Sequence, residues 1–130
     1  MILFGHRFIE SKSFYHIESI DAIQKTPPSS TLYIKFSEMN LDIIKHAQSN
    51  NLPTAIKVEN ITELIYATQL NCSYAICKKE NAKSFQTIAE EYLLDTKILA
   101  EVVVEEEIEE LALQGIDGVL FSSAIVKVTS

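Results

Sequence analysis

The chain has 130 residues, 47% of them hydrophobic and 22% charged, which fits one globular domain able to bury its own core without disulfides or metals. No apolar run approaches the roughly 20 residues needed to cross a bilayer. A net charge of −7 and a pI near 4.9 argue against a nucleic-acid partner, which needs a basic face, although local lysines can still hold a small anion.

The first residues, MILFGHRFIES, lack the charged start, long apolar stretch and small-residue cleavage site of an export signal. Cys72 and Cys77 form no metal or redox motif. Free thiols and a cytoplasmic location are therefore expected.

Residues 1–30 are the least regular part of the single domain, 1–130. SFYHI (13–17) reads as a strand and ESIDAIQKT (18–26) as a short helix stopped by Pro27-Pro28, while ILFGHRFI is left to pair elsewhere. From Thr31 the pattern is periodic. TLYIKF (31–36), PTAIKV (53–58), SYAICK (73–78), KILAEVV (97–103) and DGVLFS (117–122) are apolar runs of strand length, starting 22, 20, 24 and 20 residues apart.

The segments between them place apolar residues at three- and four-residue spacing, as in Leu41, Ile44 and Ala47 or Ile61, Leu64 and Ile65. Asn40 and Asn60 are expected N-caps, and Asn50, Asn51, Asn71 and Gly115 expected helix-closing residues. A helix between successive strands makes those strands parallel, with both sheet faces covered. A shift of 44 residues superposes Leu64 on Ile108, Asn71 on Gly115 and Ile76 on Leu120, one repeat step being two βα units. AIVKV (124–128) reads as an edge strand beside the N-terminal one.

The expected fold is α/β, with a mainly parallel sheet of five or six βα units. Its form is either an open flavodoxin-like sheet or a half-barrel completed by a second copy.

Strands buried on both faces should be apolar throughout, so Lys35, Lys57 and Glu101 need a reason. Each is the penultimate residue of an apolar tetrad near the carboxyl end of its strand, where parallel α/β folds assemble ligand sites. Lys35 and Lys57 are the candidate ligand-binding residues and Glu101 the candidate catalytic acid or base. The bland alternative is that the lysines reach solvent or pair with Glu101. His6, His16 and His46 have no metal-ligand spacing, and no metal is expected. The run from Glu105 to Glu110 reads as a solvated helix face. With glycine only at 5, 115 and 118, neither a Walker loop nor a G-x-G-x-x-G fingerprint can form, and no cofactor is expected.

The stretch ILAEVVVEEEIEELALQGIDGVLF (98–121) resembles a strand–helix–strand segment of (βα)8 barrels that bind phosphorylated sugars, the indole-glycerol-phosphate synthase group in particular. There a strand bearing a glutamate precedes an acidic helix, a Gly-Ala or Gly-Asp pair and another apolar strand. The resemblance implies an active-site role for Glu101 and makes Lys35 and Lys57 similar in kind to the family's strand-end lysines. Two functions follow as expectations. The first is a non-catalytic module for self-association, as a homodimer, or for binding another protein. The second is an enzyme or binding protein for a phosphorylated or carboxylate metabolite at the carboxyl ends of the strands.

Overall fold

The computed structural model describes residues 1–129. Its strands are β1 (Ile2–Phe4), β2 (Phe14–His16), β3 (Thr31–Lys35), β4 (Thr54–Lys57), β5 (Tyr74–Lys78), β6 (Lys97–Val102), β7 (Gly118–Phe121) and β8 (Ile125–Lys127). The helices are α1 (Ile20–Ile23), α2 (Leu41–Ser49), α3 (Ile61–Gln69), α4 (Lys79–Glu91) and α5 (Glu107–Leu113). All eight strands form one sheet in the order β1-β7-β6-β5-β4-β3-β2-β8, and every pairing is parallel.

The α/β class and the parallel sheet are as the periodicity predicts; the number of strands is not. Eight strands replace the expected five or six units. The regular βα period accounts for β3 to β7, but β1, β2 and β8 are only three residues each. Residues 5–13 join β1 to β2 without a helix, and a single 3-10 turn, Ser122–Ala124, joins β7 to β8. The strand predicted at 124–128 pairs with β2, leaving β1 to pair with β7.

The sheet is curled. β1 and β2 lie six ladder steps apart in the strand order, which in a flat sheet would separate them by about 29 Å. Yet the rings of Phe4 on β1 and Phe14 on β2 have centroids 4.9 Å apart. The curled sheet is a half-barrel and not an open flavodoxin-like sheet; its completion by a second copy is a separate proposal. Near the seam the Ser123 hydroxyl donates to the Gly5 carbonyl at 2.6 Å. Gly5 has φ +87°, and a Cβ there would lie 3.0 Å from both Ala124 Cβ and the Ala124 backbone nitrogen.

Strand alternation divides the core in two. One face of the sheet carries Leu32, Ile34, Ile56, Ala75, Ile98, Ala100 and Val119 against Ile44, Leu64, Phe85 and Leu111 of the helices. The concave face carries Phe4, Phe14, Tyr33, Ala55, Ile76, Leu99 and Leu120, which pack on one another. Both faces being covered is why the central strands read as unbroken apolar runs.

The helix ends follow their predicted signals unevenly. Asn60 caps α3 by accepting from the Glu63 N–H at 2.8 Å, while Asn51, Asn71 and Gly115 take positive φ. Asn50 has φ −102°, outside that region. Asn40 makes no side-chain cap and instead donates to the Lys35 carbonyl at 2.8 Å.

The internal repeat extends to capping. Glu63 accepts from the Glu59 N–H at 2.9 Å, and Glu107, 44 residues on, accepts from the Val103 N–H at 2.8 Å. Each carboxylate satisfies a donor that the start of its helix would otherwise leave unpaired.

Candidate site at the carboxyl ends of the strands

Lys35, Lys57 and Glu101 all face the concave side. In a parallel ladder, paired residues share a face, and residues two apart along a strand share it too. Lys35 pairs with Lys57 across β3 and β4, and lies two residues beyond the inward Tyr33. Glu101 pairs with Leu120 and lies two residues beyond the inward Leu99. The curl therefore aims these charges at the same space.

Lys57 Nζ and Glu101 Oε1 form an ion pair, with side chains 20% and 29% exposed. The Tyr33 hydroxyl donates to the other carboxylate oxygen, Oε2, at 3.3 Å. Burial first, then the Glu101 charge, raises the pKa of the Tyr33 phenol. It therefore stays a protonated donor throughout the physiological range. Lys35 is exposed and has no ion pair among the described residues. Lys78 pairs with Glu101 in the ladder, its ammonium 3.8 Å from Glu59.

The structure thus joins Glu101 directly to Lys57, with Lys35 beside Lys57 on the neighbouring strand. Tyr33 is the member that the sequence reading missed. In TLYIK it passes for one more apolar strand residue, but its position two before Lys35 puts its hydroxyl on the charged face.

The three histidines occupy different settings. His16 also faces inward, its ring 5.0 Å from that of Tyr33, and burial is the main cause of its lowered pKa. His6 hydrogen-bonds Glu105 at 2.7 Å, beside the Arg7–Glu105 pair at 3.2 Å. His46 lies in the last turn of α2.

The acidic run is not simply a solvated face. Glu105 anchors His6 and Arg7, whose hydrogen bonds hold its carboxyl below the ordinary range. Glu107 accepts from Lys79 at 2.7 Å and from two backbone N–H groups, which together depress its pKa to about 2.

Both cysteines are free and buried. Burial pushes the Cys72 thiol from an ordinary 9.0 up to about 11, and burial with the nearby Glu101 charge pushes Cys77 up to about 12. A thiol-specific reagent will therefore react with the native protein far more slowly than with the urea-unfolded chain. The same shifts fix the alkaline behaviour. Below pH 9 both thiols are protonated in either state; above it the unfolded chain loses these protons while the folded one keeps them toward pH 11 and 12, so stability falls as pH rises from about 9. Urea midpoints between pH 7 and 10.5 should decline less steeply in Cys72→Ala and Cys77→Ala than in the wild type. An equal slope in all three would refute the assignment.

Compared with protein-family models and with curated proteins, the chain matches none.

Proposed function

We propose that this protein binds a small anionic metabolite, phosphorylated or carboxylate, at the carboxyl ends of its strands. The observation that carries this reading is the pairing of Lys35 with Lys57 on the concave face, the first without an ionic partner among the described residues and the second held by Glu101. Two ammonium groups on neighbouring strands suit an oxyanion, which accepts several charge-assisted hydrogen bonds at once. Tyr33, whose hydroxyl donates to Glu101, orients that carboxylate within the cluster. The resemblance of residues 98–121 to phosphate-binding barrels supports the same reading, with an active-site role for Glu101 by analogy.

Self-association, the first expectation from the sequence, rests on the lack of a complete constellation of chemical groups. The convergence of Lys35, Lys57, Glu101 and Tyr33 shifts weight to the alternative, and a homodimer stands as a separate proposal. Calorimetric titration with inorganic phosphate tests the binding reading. Saturable binding is expected, weakened about tenfold by Lys35→Ala, in line with a lost hydrogen bond to a charged group. Lys97→Ala, at the amino end of β6, should leave it unchanged. Absence of saturable binding, or equal affinity in the wild type and Lys35→Ala, would overturn the reading.

A further inference from the structure

We infer that Glu101 is a built-in competitor for the anion site: its carboxylate occupies Lys57 when the site is empty, and an incoming anion must displace it. This inference rests on the binding reading above and assigns the residue that sets its affinity and selectivity.

The argument begins with the two lysines. They are Cα partners on adjacent strands and share the concave face, yet among the described residues only Lys57 of the two has a carboxylate partner. Glu101 reaches Lys57 across β5, since the strand order places one strand between β4 and β6. The two residues occupy equivalent places in the 44-residue repeat, so one repeat supplies a cation where the other supplies an anion. The result is an internal salt link at the place where a ligand's oxyanion would sit between Lys35 and Lys57.

Tyr33 controls how firmly the link is held. Its hydroxyl binds Oε2 while Lys57 binds Oε1, so the carboxylate is gripped at both oxygens. The link is partly desolvated, with 20% exposure at Lys57 and 29% at Glu101. A charge in that setting needs a counter-charge, and loss of the resident one leaves the lysine to recruit another from solution. An anion with several oxygens and more than one charge can engage Lys35 and Lys57 together. A weakly held monoanion such as chloride has only point attraction to set against Glu101. The carboxylate therefore filters for multiply charged or multidentate oxyanions.

Glu101→Gln, which keeps side-chain size and removes the charge, separates this role from a direct ligand contact. With inorganic phosphate as the probe at constant pH and ionic strength, Glu101→Gln should bind on the order of tenfold more tightly than the wild type, the scale of a close charge pair. Chloride should become a measurable competitor in the variant. Tyr33→Phe keeps the charge but loosens its grip, and should tighten phosphate binding by a smaller factor. It also supplies the test should Glu101→Gln fail to fold. Weaker phosphate binding in Glu101→Gln would make Glu101 a ligand contact and overturn the inference; unchanged binding in both variants would overturn it too. In either case the anion site stands if Lys35→Ala still weakens binding. Absence of phosphate binding in the wild type and in Glu101→Gln alike would overturn both.

Discussion

Phe14→Ala is expected to destabilise the fold by about 3–5 kcal/mol, the range for removing a fully buried aromatic ring from a core. Phe14 has 0% exposure and lies where the two ends of the curled sheet meet. Its ring contacts Phe4 at 4.9 Å and Tyr74 at 5.3 Å, and Phe4 and Tyr74 touch each other at 5.6 Å. These three rings come from β1, β5 and β2, which are separated in the strand order of the sheet and joined here by side chains. Truncation leaves a cavity that backbone hydrogen bonds cannot close, since no ladder pairs β1 with β2 or β8. Urea unfolding followed by circular dichroism will measure the loss. A double-mutant cycle between Phe4→Leu and Phe14→Leu should give a coupling of about 0.5–1.5 kcal/mol, as for other aromatic pairs. A loss below about 1 kcal/mol in Phe14→Ala would mean that the seam does not depend on this contact.

The contrast between the seam and the rest of the sheet shows where the sequence was readable. β3 to β7 each lie in an apolar run, and each is followed by a helix or a 3-10 turn, so local signals alone locate them. β1 has no such support. Its three residues pair with Gly118–Leu120, more than a hundred positions away, and a nine-residue segment without a helix follows it. Periodicity carries no information about such a partner. The curl was equally hidden, because it depends on which side chains meet across the concave face.

Charge was more legible than aromatic contact. A charged side chain in a strand covered on both faces is conspicuous, and that anomaly marks Lys35, Lys57 and Glu101 in the sequence alone. That Glu101 pairs with Lys57, while Lys35 reaches solvent, is decided by the strand order and the register. The role of Glu107 was readable but concealed by its acidic neighbours: its spacing from Val103 matches that of Glu63 from Glu59, and both glutamates cap helix starts. A run of carboxylates looks like a solvated face until one of them is seen to have backbone donors three and four residues back.

Gly118→Ala will release β1 from the sheet. A Cβ at Gly118 would lie 2.7 Å from the Ile2 carbonyl oxygen, 2.8 Å from Leu99 Cδ2 and 3.2 Å from Ile2 Cβ. Leu99 can turn its methyl away, but the Ile2 oxygen belongs to the backbone of β1, opposite Gly118 in the β1–β7 ladder. The clash is relieved only by moving the strand. Overpacking of this kind costs about 1–3 kcal/mol. Moving β1 also draws Phe4 away from Phe14, so the damage should spread along the seam and spare the centre of the sheet. Native-state hydrogen exchange will distinguish this from general weakening: the amides of Ile2 and Phe4, which face β7, should lose protection, while those of β4 to β6 keep theirs. Gly115→Ala is the matched control. It has φ +76° and nothing within 4 Å of a built Cβ, so its cost, about 1–2 kcal/mol, is backbone strain at the end of α5 and should leave β1 protected. Equal protection of β1 in both variants would show that close approach at Gly118 does not hold the edge strand in place.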